Sequence, residues 1–321
     1  MLDGEAPSSV AGRLTGFDAQ DSRSYRSRRM QDGTNTFVIV ESRPLDTPPP
    51  PAIRSVEIRE ADVHGGKPDK ARPDEVDEVI RSIPPDGVEV FRMGSVIGRP
   101  IQLRRLPPID RFKNLKNVEF RAGTLQDLSP LFALEHLKIL EITACPLTNL
   151  SPLRTRRLDS VRLIRGKITH FDLSARSVLL QACSHLVSFA GAEITNLDLE
   201  SCNKVDLSTL ASVRGLIDLR LVASGPVAAN FDFLAGCSTL RRLTISTPLG
   251  KTDFSALGQA PAVKFAYFAA RNSALKRIAL DCPDILVSNG NVCYRGQQEL
   301  PGQYFFEAER EDIYQHRAAL A

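Results

Sequence analysis

Residues 137–153 read LKILEITACPLTNLSPL, a segment in which apolar side chains recur at Leu137, Leu140 and Ile142. The same spacing of i, i+3 and i+5 returns along the chain at intervals of 17 to 24 residues. The middle residues of these copies are Val118, Leu140, Val161, Val178, Leu197, Leu219, Leu243, Ala266 and Ile285. Repetition of this kind predicts a solenoid, in which each repeat forms one coil that stacks on the next.

Each copy predicts a short strand with two core residues. In residues 137–153 these are Leu140 and Ile142, because side chains two positions apart in a strand lie on the same face. A small residue follows three positions later in several copies, as Cys145, Cys183 and Cys202 do, and it predicts a turn out of the strand. A second apolar set then predicts the return of the chain along the opposite side, so that each coil closes on itself.

The same segment resembles the leucine-rich repeat pattern L-x-x-L-x-L-x-x-N/C-x-L. Its tail LTNLSPL, with LQDLSPL at residues 125–131, resembles the short-repeat bacterial branch of internalin-like and phosphatase-regulator-like proteins. The resemblance covers roughly residues 115–295. It implies an α/β-type or mostly-β solenoid with parallel strands on its concave face, irregular repeats and a cap at each end. It also implies a bacterial protein.

Four regions follow from the pattern. Residues 1–35 are polar and predict a disordered tail, although the basic cluster SRSYRSRR within it could also serve as a secretion address or an anchor. Residues 36–110 contain the strand-like run TFVIVE and an amphipathic stretch at 74–83, which together predict a strand and helix cap. The repeats are predicted to span residues 111–298. Residues 299–321 predict a helical cap, with Phe306, Ile313 and Leu320 at seven-residue intervals.

Composition limits the class of protein. The chain has 321 residues, of which 42% are hydrophobic and 25% charged, and it has no apolar run near the roughly 18 residues that a membrane helix needs. Residues 1–10 lack the basic start and apolar stretch of a classical secretion signal. The six cysteines predict buried, reduced thiols, since three of them occupy equivalent repeat positions. We therefore expect a cytoplasmic protein without disulfides.

The charge distribution argues against a nucleic-acid partner. The net charge is +3, with 16 basic and 18 acidic residues in positions 1–110 and 25 basic and 20 acidic residues in the remainder. Binding to a phosphate backbone needs a continuous basic stripe. The densest basic stretch, residues 154–167, is divided by the repeat geometry among different sides of one coil. We expect it to be solvated, with an acidic protein partner as the alternative.

Catalytic and metal-binding patterns are missing from the sequence. The five histidines are scattered, and the cysteines show no paired spacing for zinc. His64-Gly65-Gly66-Lys67 contains part of a phosphate loop but lacks its length and its final Ser or Thr, and it predicts a turn. We therefore expect no enzyme activity, no metal and no cofactor.

The outward residues of the predicted strands form a candidate binding surface. One column runs along the concave face, through the residue between the two core positions of each repeat: Glu119, Glu141, Arg162, Leu179, Asp198, Arg220, Thr244, Tyr267 and Leu286. Arg242 and Phe265 flank it. The candidate partner-binding residues are Arg162, Asp198, Arg220, Arg242, Phe265 and Tyr267, because aromatic and arginine side chains dominate protein interfaces. The alternative for Phe265, Tyr267 and Leu286 is that the helical cap covers them.

The sequence therefore favours a non-enzymatic protein-interaction module that binds a protein partner on its concave face. The alternative is an enzyme or secreted effector whose activity lies in the first 110 residues and whose repeats select the substrate. A third possibility is a regulatory subunit of an enzyme complex. An ordered pocket with convergent polar residues in the first 110 positions would favour the enzyme or effector hypothesis.

Overall fold

The computed structural model describes residues 36–42, 53–60, 76–77, 80–81, 83–95, 104–121, 125–189, 191–222, 231–246 and 254–320. The predicted tail, residues 1–35, lies outside the described residues. The chain divides into two compact units, Met1–Leu147 and Thr148–Ala321.

The first unit is built on a five-stranded sheet. Its strands are β1 (Thr36–Ser42), β2 (Ile53–Glu60), β3 (Val90–Ser95), β4 (Asn117–Arg121) and β5 (Ile139–Thr143). They are ordered β1-β2-β3-β4-β5; β1 runs antiparallel to β2, and the remaining pairs are parallel. Short 3-10 turns at Ile109–Arg111 and Ser129–Ala133 lie on the return side.

The repeat register extends upstream of the predicted array. Glu57 pairs with Arg92, and Arg92 pairs with Glu119, so β2 and β3 continue the concave column in step. Phe91 and Phe120 are fully buried and lie 5.8 Å apart between ring centroids. The strands predicted within residues 36–110 are therefore present, and β2 and β3 show the same alternation of buried and outward side chains as the repeats.

The second unit has a nine-stranded main sheet. Its strands are β6 (Arg157–Ile164), β8 (Ser174–Gln181), β10 (Glu193–Glu200), β11 (Asp218–Val222), β12 (Arg242–Ile245), β13 (Phe265–Phe268), β14 (Leu286–Ser288), β15 (Val292–Arg295) and β16 (Gln298–Pro301). They pair in this order, in parallel as far as β14 and antiparallel from there to β16. The two-residue strands β7 (His170–Phe171) and β9 (Ser188–Phe189) pair separately.

The connections on the return side are short helical turns. They are Ser151–Leu153, Leu207–Ser212, Asp232–Gly236, Ser255–Gly258 and Asn272–Asp281. The last helix spans Gly302–Leu320. Phenylalanines fill the space behind the strands, with Phe254 stacked on Phe231 at 5.6 Å and edge-on to Phe268 at 5.2 Å.

The LSPL tails owe their geometry to a side-chain acceptor two residues before the serine. Asp127 Oδ1 accepts a hydrogen bond from the Ser129 amide at 2.8 Å, and Asn149 Oδ1 accepts one from the Ser151 amide at 2.8 Å. Each bond closes a local turn that starts the 3-10 helix. These bonds lower the pKa of Asp127, since the Ser129 hydroxyl and amide both donate to its carboxylate.

Four of the described turns out of a strand contain a non-glycine residue with positive φ. Ala144, Arg165, Ala182 and Ser201 have φ between 53° and 57°, a region that non-glycine residues rarely adopt. The next residue is a cysteine in three of these four turns. Cys183 Sγ donates to Leu163 O at 3.6 Å, and Cys202 Sγ donates to Leu180 O at 3.2 Å, so each thiol reaches back to the preceding strand. These turns lie where the small residues predict them.

The last parallel strand corrects one register assignment. Ile285 was predicted as the middle residue of its repeat, but Ala266 pairs with Val287 and Tyr267 pairs with Ser288. The correct middle residue is therefore Val287. The error arises because Ile285 and Val287 are both buried, and two apolar residues with period two cannot distinguish a shift of two positions. The shift preserves the face, so Leu286 still lies on the concave side, next to Phe265.

These registers confirm the predicted leucine-rich repeat solenoid fold. In both units the parallel strands supply a concave face, and helical turns supply the return side of each coil.

Candidate functional site

The strand register of the second unit places the predicted concave residues side by side. Arg162 pairs with Leu179, Leu179 with Asp198, and Asp198 with Arg220. The column then continues through Thr244 and Tyr267. Neighbouring strands lie about 4.8 Å apart, so these side chains form one surface.

A hydrogen-bond network connects the middle strands of this surface. Arg220 Nη1 donates to Asp198 Oδ2 at 2.7 Å and lies 3.4 Å from Glu200 Oε1. Gln181 Nε2 donates to Glu200 Oε2 at 2.7 Å. These bonds fix the orientation of side chains on three adjacent strands, β8, β10 and β11.

Asp198 is the most constrained member of the network. Burial raises its pKa, the Arg220 guanidinium opposes the shift, and the carboxylates of Glu200 and Asp218 add to it. In the described part of the chain its Oδ1 atom is buried without a hydrogen-bond partner. The ionised carboxylate therefore depends on Arg220 for most of its stabilisation.

The edge of this surface at β6 is basic. Arg162 is exposed beside the half-buried Leu179. On the same coil, Arg154 pairs with Asp172, and Arg157 Nη2 lies 3.3 Å from Glu193 Oε1. These ion pairs neutralise part of the positive charge of the basic stretch. We name Arg162, Leu179, Asp198 and Arg220, with the flanking Gln181 and Glu200, the open surface.

The concave face of β12, β13 and β14 is covered by the last helix. Phe265, predicted as an exposed partner-binding residue, is only 5% exposed, and that placement is wrong. Its ring meets the Phe305 ring of the last helix edge-on at 5.9 Å. Tyr267 is half-buried, with its ring 6.5 Å from that of Phe305. For these two aromatics the structure shows the alternative that the sequence left open, which is coverage by the cap.

Arg242 also lies beneath the last helix. Its side chain is 16% exposed, and its Nε atom donates to Asp218 Oδ2 at 2.9 Å and lies 3.7 Å from Glu309 Oε1. Burial raises the pKa of Glu309; Arg242 opposes this shift, and Asp218 and Asp312 increase it. The predicted site residues therefore separate into two groups, with Arg162, Asp198 and Arg220 open and Arg242, Phe265 and Tyr267 covered.

Asp312 makes the strongest polar contact of the last helix. Arg241 donates to both of its carboxylate oxygens, from Nε at 3.1 Å and from Nη2, and Lys264 Nζ donates to Oδ1 at 3.1 Å. Burial opposes ionisation, but the hydrogen bonds and charges of Arg241 and Lys264 outweigh it and lower the pKa of Asp312. A bidentate guanidinium–carboxylate pair fixes both position and orientation.

The inward face of the last helix differs from the predicted one. Phe306 was predicted to face the repeats, yet it is 48% exposed, whereas Phe305 is 3% exposed. Phe305, Glu309 and Asp312 lie at i, i+4 and i+7 and share one face of the helix. Sequence reasoning missed these three residues because it followed apolar spacing alone. The sequence signal that could have identified this face is the pair of acidic residues at i+4 and i+7 from Phe305.

Polar groups also lie together outside the concave face. An open cavity of about 500 Å³ is lined by residues that include Arg154, His170 and Asp172, on the return side of the first coil of this unit. His170 Nδ1 lies 2.7 Å from Ser188 Oγ, and this pair is exposed. Within the described ranges no group of three His, Cys, Asp or Glu side chains could hold a metal ion.

The cysteines are buried or half-buried and free. Burial raises the pKa of Cys237 and Cys282 to about 11, and contact with Cys183 together with burial raises the pKa of Cys202. Such thiols are poor nucleophiles at neutral pH. No helix among the described segments combines the length and apolar character that crossing a bilayer requires.

Comparisons with known proteins identify similar folds only. No family model and no curated protein matches the chain. An internalin from Listeria monocytogenes is similar in structure, with 16% identity and a TM-score of 0.37 over 60% of this chain and 58% of the internalin. A leucine-rich repeat protein from Leptospira interrogans matches with 14% identity and a TM-score of 0.21 over 68% of this chain and 81% of its own. The match therefore spans less than two thirds of the internalin's length.

Proposed function

We propose that this leucine-rich repeat chain is a non-enzymatic module that binds a protein partner on its open surface. The observation that carries the proposal is the hydrogen-bonded network of Gln181, Glu200, Asp198 and Arg220, which orients polar side chains toward solvent on adjacent strands. Side chains held in place before binding lose less conformational entropy when a partner docks.

The composition of the open surface supports a protein partner over a nucleic acid. It combines an arginine at each side, Arg162 and Arg220, with the half-buried Leu179 and two carboxylates. Arginines that contact a desolvated partner are frequent sources of binding energy in protein interfaces. The two carboxylates would repel a phosphate backbone.

The charges also indicate how the partner is arranged. Asp198 and Glu200 lie on β10 around the guanidinium of Arg220 on β11, while Asp218 on β11 pairs with Arg242. We expect the partner to present basic side chains above these strands. Opposite potentials of this kind favour the correct orientation of docking.

The proposal is tested by affinity purification with two baits followed by mass spectrometry. One bait is the full chain, and the other carries Arg162→Ala and Arg220→Ala. We expect a protein that the full chain retains and the double variant loses, while both baits melt cooperatively. A partner retained equally by both baits would contradict the proposed surface.

A cytoplasmic location and a bacterial origin are part of the proposal. The free, largely buried cysteines support a reducing compartment, and the bacterial origin rests on the sequence resemblance. The absence of enzymatic activity is likewise proposed. It rests on the sequence, which contains no recognisable catalytic motif.

A further inference from the structure

The concave face of β12 to β14 forms a groove that is lined differently from the open surface. Its floor is apolar, with Phe265, Leu286 and Cys293 in one buried cluster. Its rim is cationic, because Arg241 and Lys264 lie at the starts of neighbouring strands and Arg242 lies beside them. We name these six residues the groove.

The last helix matches the groove through one aromatic and two acidic side chains. Phe305 completes the apolar cluster, in contact with Phe265. One turn later Glu309 faces Arg242, and Asp312 faces Arg241 and Lys264. The helix therefore carries charges opposite to those of the rim, at helical spacing.

A helix that served only to cover an exposed end would not need this polar recognition. Burying a carboxylate with a guanidinium often stabilises a fold no more than apolar packing would, whereas it specifies position and partner. The outer face of the same helix leaves Tyr304 and Phe306 exposed. Among the described side chains of the helix, Phe305 is the deeply buried apolar one, and Ala308 packs beside it.

We propose that the groove is a binding site for an acidic amphipathic helix with an aromatic residue at i and a carboxylate at i+7, and that the last helix occupies it within the same chain. A partner helix of this chemistry would compete with the last helix for the groove. The open surface is a separate site, so this inference does not depend on the proposed function.

The chain itself provides the probe. A peptide of residues 302–320 carries the whole recognition face, and its binding to the full-length protein is measured by fluorescence anisotropy. In the wild type the tethered helix competes at an effective concentration on the order of millimolar. We expect the peptide to bind at least tenfold more tightly to a Phe305→Ala/Asp312→Asn protein, whose own helix is weakened while its groove is unchanged.

Variant peptides test the recognition face. Peptides with Phe305→Ala or Asp312→Asn should bind at least tenfold more weakly than the natural peptide. The Glu309→Gln peptide should bind about equally well, because the carboxylate of Glu309 faces Asp218 as well as Arg242. Equal binding of the natural and Asp312→Asn peptides would overturn the proposal.

A second variant with a weakened attachment of the last helix serves as a control, in case the Phe305→Ala/Asp312→Asn protein does not fold. In Gly302→Ala the helix keeps Phe305, Glu309 and Asp312, but a Cβ atom would overlap with the carbonyl of Gly290 and lie 2.7 Å from the Asn291 carbonyl oxygen, so the helix cannot start in its present position. If either released protein melts cooperatively and binds the peptide, the inference stands. If neither binds it, the groove is not a helix site.

Discussion

The open surface and the groove are built from the same repeat and have different surroundings. On β6 to β11 the concave side chains form a hydrogen-bonded polar layer that faces solvent. On β12 to β14 the equivalent positions lie against the last helix, with Phe265 buried and Arg242 paired to Asp218 and Glu309. The alternation of strand residues decides on which face a side chain lies. A segment distant in sequence decides whether that face is exposed.

The two regions also differ in the chemistry that they can accept. The open surface places Asp198 and Glu200 around Arg220, which favours a basic partner there. The groove places three cations around an apolar floor and already holds an acidic helix. The two proposed concave sites therefore differ in charge preference.

The substitution with the largest expected effect tests the alternation of buried and concave-facing side chains along a strand. Leu219 is fully buried on β11, so Leu219→Asp replaces core packing with an unpaired charge and should destabilise the fold by ~2–5 kcal/mol or more. Leu179→Asp is the matched control, since this half-buried leucine lies on the concave side. We expect it to cost less than about 1 kcal/mol. Denaturant unfolding of both variants distinguishes the faces; equal losses would contradict the register.

The next effect concerns attachment of the last helix. Gly302→Ala should release the helix, because the added Cβ would lie 2.7 Å from the Asn291 backbone. Hydrogen exchange should then show loss of protection in residues 302–313 and retained protection in β6 to β11. Gly166→Ala is the control, since its Cβ would meet no atom closer than 3.6 Å. If protection of the helix survived in Gly302→Ala, the described attachment would be wrong.

A smaller effect separates the two acidic contacts of the helix. Asp312→Asn should weaken attachment by about 1.5–3 kcal/mol, the usual contribution of hydrogen bonds to a charged group. Glu309→Gln should be neutral or slightly stabilising at neutral pH, because the pKa of Glu309 is raised and its charged form is therefore disfavoured in the folded state. Thermal melts of the two variants, monitored by tyrosine fluorescence, measure the difference in stability between them.

The same two carboxyl groups predict opposite responses to pH. The pKa of Asp312 is lowered below 3.8, so its contribution is complete above that value and is lost as the pH falls toward the folded-state pKa. The pKa of Glu309 is raised above 4.5, so its contribution is present at low pH and is lost as the pH rises through the folded-state pKa. Attachment should be strongest in mildly acidic solution. Asp312→Asn should remove the decline on the acid side, which a pH series of melts would reveal.

The smallest effect is expected at the cysteines of the strand-end turns. Replacing Cys145, Cys183 and Cys202 with Ala removes one buried sulfur at each position, and each loss should cost about 1 kcal/mol or less. Partner binding should be unchanged in the folded triple variant. Stoichiometric zinc in the purified protein, or binding lost with a single Cys→Ser change, would contradict the structural role of these thiols.

The repeat pattern predicted most of the local structure. The column from Arg162 to Tyr267 was assigned correctly, because period-two alternation and the fixed length of each strand leave little freedom. The turns after the strands were also located from small residues such as Cys145 and Gly166. Local spacing was sufficient wherever a side chain's surroundings are set by its own coil.

The remaining errors concern contacts between distant segments. Phe265 was predicted to be exposed because nothing near it in sequence covers it, and Phe305 lies 40 positions later. Phe306 was preferred over Phe305 because apolar spacing ignores the attraction of Asp312 to Arg241 and Lys264. The register of β14 was misassigned because Ile285 and Val287 are equally apolar. Correct predictions at these positions would have required knowing which distant segment packs or pairs with each strand, and the sequence of a single strand does not contain that information.

The central claim is that a protein partner binds the open surface, and titration calorimetry with the purified partner tests it most directly. Arg162→Ala combined with Arg220→Ala should weaken binding at least tenfold, which corresponds to ~1.4 kcal/mol. Arg277→Ala, an exposed arginine on the helix Asn272–Asp281 of the return side, should leave the affinity unchanged. Loss of binding in Arg277→Ala, with full affinity in the double variant, would place the partner on the return side and contradict the account.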